Sequence, residues 1–160
     1  MNVRAGKFAF MEHERPALIA GIKGGATNPE IKGTAKIYKL SDGLYLIAEI
    51  EGLPADSVFG FRISGGAACG SGDDTEQLSS AGSRFGASSE DMRSYHAGDL
   101  PPLFSSGSGS AFLQVYVSQA SAEQVSGKPI VIHKMPDDFR TQPSGGAGVR
   151  IACGILAENL

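Results

Sequence analysis

Histidine, cysteine, aspartate and one oddly placed arginine carry what chemistry this chain offers. The histidines are His13, His96 and His133, few for a metal enzyme, and a lone histidine is more often a packed structural residue than a ligand. Cys69 and Cys153 are too few for a disulfide-dense scaffold or a four-cysteine zinc site. They are either two buried thiols or one bridge, which would close a loop of about 85 residues and be worth about 4–5 kcal/mol in chain-entropy terms. In VFGFRISGGAAC (58–69), Arg62 interrupts an apolar run. A guanidinium keeps its proton and cannot ligate a metal, and burying one costs several kcal/mol unless it is paired and hydrogen-bonded. There is no GxSxG elbow, GxxxxGK[ST] phosphate loop, HExxH or CxxC, which removes common nucleophilic, nucleotide-binding, metalloprotease and redox signatures.

The elements that must position these residues read as short strands. Residues 17–22 are apolar and end at Gly24-Gly25; 31–40 (IKGTAKIYKL) and 44–50 (LYLIAEI) flank an SDG turn and predict a hairpin with one buried face. Residues 58–63, 111–117 (AFLQVYV), 129–133 (PIVIH) and 149–156 (VRIACGIL) complete the apolar segments, and only 118–125 looks briefly helical. Glycine, at 22 of 160 residues, is about twice its average usage and gathers at turns. The pattern predicts an all-β fold. Residues 64–110 and 134–148 lack periodicity, and between strands they read as functional loops.

Bulk properties narrow the partners. The length suits a single domain over 1–160, with 1–15 as an N-terminal extension. The net charge is −3, from 14 basic and 17 acidic residues, and no basic run marks a nucleic-acid surface. No apolar stretch approaches the length of a spanning helix, so no membrane partner is expected. The N-terminal residues show no uninterrupted apolar region before a cleavage site. The chain reads as cytoplasmic as given, and as periplasmic or secreted if a signal was removed.

GFRI (60–63), AGSRF (81–85), YHAGDLPPL (95–103), PIVIHKMPDD (129–138) and GVRIACGIL (148–156) occur in an order and spacing that resembles the copper/zinc superoxide dismutase family, in particular its short bacterial branch. The resemblance covers about residues 16–156. It implies an eight-stranded Greek-key β-barrel, an immunoglobulin-like sandwich architecture, with two long functional loops. It also implies a disulfide between Cys69 and Cys153, a bridge unusual in a reducing cytosol.

The departures from the family pattern bear directly on function. The family's copper is held by four imidazoles, two from an H-x-H where this chain has Arg62-Ile63-Ser64; the histidine bridging both metals falls at Arg84. His133 matches the remaining copper ligand. His96 and Asp99 match two zinc ligands, and the other falls near Arg93 or Met92. One histidine cannot fix a redox-cycling copper, so metal binding and dismutase activity are expected to be lost, with no cofactor in place of the family's copper and zinc. The resemblance makes Asp137 the counterpart of an aspartate that hydrogen-bonds a histidine of each metal site. It makes Arg150 the counterpart of the arginine that attracts superoxide. An Arg62–Asp137 ion pair is expected, with Arg93 joining it; the competing reading is a solvated Arg62. Arg62, Arg84, Arg93 and Arg150 would then form either a closed salt-bridge network, which is favoured, or a site for a small anion. The leading functional reading is a non-catalytic binding or structural module; the alternative is a dismutase or metal-binding protein using a rearranged site at His96, Asp99 and His133. A homodimer is compatible with the sequence, which identifies no interface.

Overall fold

The alternation across 31–50 folds as expected into a hairpin. In the computed structural model, which describes residues 14–66, 68–69, 98–118, 120–136 and 149–160, β2 (Lys32–Leu40) and β3 (Gly43–Glu51) pair in unbroken register from Lys32↔Glu51 to Leu40↔Gly43. Side chains on successive residues point to opposite faces of a strand, so Ala35 and Ile37 of β2 meet Ala48 and Leu46 of β3 on the inner face, all fully buried. Around this hairpin lie β1 (Leu18–Gly24), β4 (Val58–Ile63), β5 (Leu103–Phe104), β6 (Ala111–Val117), β7 (Pro129–His133), β8 (Arg150–Ile155) and β9 (Ala157–Glu158). The one helix among the described residues, α1 (Ala122–Val125), is a single turn closed by a capping box between Ser121 and Gln124. None of the described helices is long and apolar enough to cross a membrane.

The strands follow the order β5-β4-β7-β8-β1-β2-β3-β6, every pair antiparallel, and curl into a nearly closed eight-strand barrel. Its interior is one continuous cluster that includes Ile22, Ile37, Leu46, Phe61, Ile63, Ile130, Ile132 and Leu156. Each such side chain contributes about 1.5–3 kcal/mol by leaving water, so the core is sustained by hydrocarbon contact. The seam between β1 and β8 is short, covering Lys23↔Cys153 and Gly24↔Ala152. Gly154 makes this approach possible, since a Cβ there would lie 2.5 Å from the Gly21 carbonyl oxygen. Past β8 the chain crosses to β1 as β9, and Asn159 donates from its backbone N–H to Ala17 O at 3.1 Å and from Nδ2 to Pro16 O at 3.2 Å.

Several boundaries differ from the sequence expectation. The helix is confined to 122–125 rather than 118–125, and β5 arises within the 64–110 segment that lacks periodicity. Within the 149–156 segment β8 carries a bulge, so that Ile132 pairs with Ala152 but His133 pairs with Arg150, and the short β9 lies beyond that segment at 157–158. The extra residue, Ile151, joins Ala152 in the core. Arg150 thereby turns to the outer face, the re-aiming that bulges produce.

Candidate functional site

The outer face of β4, β7 and β8 gathers the residues that the sequence singled out. Directly paired residues share a face, so two rows run across the three strands. One is Gly60, His133 and Arg150; the other is Arg62, Val131 and Cys153. Cys153 is bonded to Cys69, with Cα atoms 5.8 Å apart and 84 residues between them in sequence. Val131, Cys153 and Cys69 pack as a small apolar cluster on this face, separate from the barrel core. The disulfide implied by the family resemblance is therefore present, and it pins the chain after β4 over the face that holds Arg62.

Arg62 is 4% exposed, which overturns the reading of a solvated arginine. The reason is a second chain segment laid along the edge of β4. Ile63 N–H donates to Gly98 O at 2.8 Å, Leu100 N–H donates to Phe61 O at 3.2 Å, and Arg62 and Asp99 form an antiparallel bridge. That bridge puts both side chains on the outer face, and Arg62 Nε lies 3.8 Å from Asp99 Oδ1. The buried charge thus has a carboxylate opposite it. The expected partner, Asp137, lies outside the described residues, as do Arg84, Met92, Arg93 and His96. Asp99 was singled out in sequence as a metal-ligand match, not as the arginine's partner. A pointer was available in the loop's GDLPP, whose extended residues before the prolines suit an added edge strand.

His133 is buried at the bulge, its backbone between Gly60 and Arg150. Arg150 beside it is half-buried, and its pKa is lowered, first by loss of hydration and then by repulsion from the Arg62 charge. Two guanidinium groups therefore feel each other across this face. Ser64 is buried at the end of β4, where its N–H donates to Pro129 O at 2.8 Å. Of the four arginines expected around one depression, the described residues bring together Arg62 and Arg150. Among the described residues, no three histidine, cysteine, aspartate or glutamate side chains converge as a metal site.

Comparison with known proteins agrees with this geometry. The family model described as copper/zinc superoxide dismutase matches residues 31–156. A copper–zinc superoxide dismutase of Caulobacter vibrioides is 41% identical over 69 residues, a match spanning 38% of this chain and 40% of that relative's length. A second, from Aquifex aeolicus, is 29% identical over 143 residues, 81% of either chain. Among solved structures, the double mutant of a superoxide dismutase-like protein from Bacillus subtilis superposes with a TM-score of 0.72 at 25% identity, covering 88% of this chain and 99% of that one.

Proposed function

Because the chain belongs to the copper/zinc superoxide dismutase family, we propose that it is a member without redox chemistry, in which an ion pair does the electrostatic work that metals do in its relatives. One observation carries this reading. Arg62, in the place the family resemblance gives to a copper imidazole, is buried against Asp99, in the place it gives to a zinc carboxylate. The described residues do not fit either metal. A guanidinium has no lone pair to offer, Ser64 is a poor ligand for copper, and His133 stands between two arginine-bearing strands. A divalent cation brought beside His133 would meet the positive charges of Arg62 and Arg150, and burial, with the Arg62 charge as a lesser cause, already lowers the Arg150 pKa.

On this reading Asp99 keeps a cation opposite it, but a fixed organic one that neither gains nor loses electrons. The strand carrying Arg62 and the segment carrying Asp99 are held together without a cofactor. The test is reconstitution. Purified protein is loaded with copper and zinc, desalted, and examined for bound metal and for superoxide disproportionation. The expected result is far less than one copper per chain and no rate above that of the buffer. Stoichiometric copper with rapid disproportionation overturns the reading. Copper or zinc bound without activity would point instead to the residual set His96, Asp99 and His133.

A further inference from the structure

The outer face of β2, β3 and β6 carries an aromatic and aliphatic patch. Register places Tyr38, Tyr45 and Tyr116 in one row across the three strands, and Lys36, Ile47 and Gln114 in the next but one. Tyr38 and Tyr45 are each 5% exposed and Ile47 8%, whereas Tyr116 and Phe112 on the same face are 40% and 59% exposed. Tyr38, Tyr45 and Ile47 form a cluster of their own, apart from the barrel interior, with Leu40 packed against it. One face of an antiparallel sheet ordinarily meets water, so burial this deep asks for a cover. Beside the cluster lies a groove of about 300 Å³, whose lining includes Tyr38, Ile47, Phe112, Lys36 and Glu49.

We propose that this face is the docking surface for the chain's own residues 7–12, KFAFME, with the Phe8 and Phe10 rings seated beside Tyr38 and Ile47. The point of departure from the barrel selects this segment. Leu18 pairs with Ile37 and Ala17 N–H donates to Ile37 O at 2.8 Å, so the chain ahead of Pro16 sets out beside Tyr38. Residues 70–97 instead leave from Cys69, bonded to Cys153, and return at Gly98, bonded to Ile63; residues 137–148 return at Val149, bonded to Lys134. Both of those segments start and finish on the β4–β7–β8 side. Reach is sufficient. The eight residues from Phe8 to Pro16 span at most about 27 Å, while β1 to β6 is three strand spacings, about 14 Å. Period two puts Phe8 and Phe10 on one side of an extended segment, matching two apolar anchors to one apolar face. Charge follows the same order. Lys36, on β2 next to β1, would meet Glu12, the nearer end of the segment, and Glu49, one strand farther on, would meet Lys7.

Nuclear magnetic resonance of the full chain tests it directly. Nuclear Overhauser contacts between the Phe8 and Phe10 rings and the Ile47 methyl groups are expected, with relative strength independent of protein concentration. Their absence overturns the proposal. Contacts that grow with concentration overturn it too, because they assign the face to a second copy. A second measurement maps tyrosine acetylation by mass spectrometry. Tyr38 and Tyr45 are expected to react about tenfold or more faster in the Phe8→Ser, Phe10→Ser double variant, as protected groups do once a cover opens. The Phe8→Leu, Phe10→Leu variant is expected to keep the native protection. Unchanged protection in a serine variant that retains the barrel's circular dichroism overturns the proposal; should that variant not fold, the contacts in the native chain decide.

Discussion

At Arg62 the decisive quantity is the asymmetry between making and breaking a buried ion pair. Replacing both members of such a pair by apolar residues is often nearly neutral, whereas removing one leaves a charge in a place that cannot hydrate it. Asp99→Ala is therefore expected to destabilise the fold by about 3–5 kcal/mol, toward the lower end because the Nε–Oδ1 separation of 3.8 Å is long for an ion pair. Arg62→Leu combined with Asp99→Leu should recover most of that loss. Urea denaturation of the three proteins measures both effects. A loss under about 1 kcal/mol for Asp99→Ala would mean that the pair is no stronger than a surface one. Arginine in the 58–63 strand was legible as an anomaly from its apolar neighbours, but its partner was not. Asp99 is 37 positions away in sequence, and it arrives through backbone hydrogen bonds to β4 that no periodicity announces.

At the level of elements, the bulge and the disulfide decide what the outer face contains. In a regular β8, Ala152 facing inward would turn Ile151 outward and Arg150 inward; the bulge lets Ile151 enter the core and sends Arg150 to His133. The disulfide fixes the other side of that face. Because Cys69 and Cys153 are 84 residues apart, reducing the bond or substituting both cysteines by serine is expected to cost about 4–5 kcal/mol, the entropy returned to a long loop in the unfolded chain. Denaturant midpoints with and without reductant check this, and unchanged midpoints would contradict it. The hairpin and the 58–63, 111–117 and 129–133 strands were legible because alternation or short apolar runs ended at clear turn residues. β5 was not, since two residues carry no period, and neither was the bulge, since one extra residue in VRIACGIL scrambles the alternation that would reveal it.

For the whole molecule, the barrel's cohesion comes from its hydrocarbon interior. Ile37, Leu46, Phe61, Ile63, Ile130 and Ile132 are fully buried in one cluster. If the chain holds no metal, as proposed above, a strong chelator is expected to leave the melting temperature unchanged to within about a degree, because only a ligand that binds the folded state raises stability by mass action. A fall of several degrees would reveal a bound metal. The crossing of β9 onto β1 has a different consequence. With Asn159 hydrogen-bonded to Pro16 and Ala17, the polypeptide enters and leaves the barrel at a single corner. Whatever is tethered ahead of Pro16 and whatever is tethered behind Asn159 must depart side by side, so a fusion at either end would sit next to the same doorway.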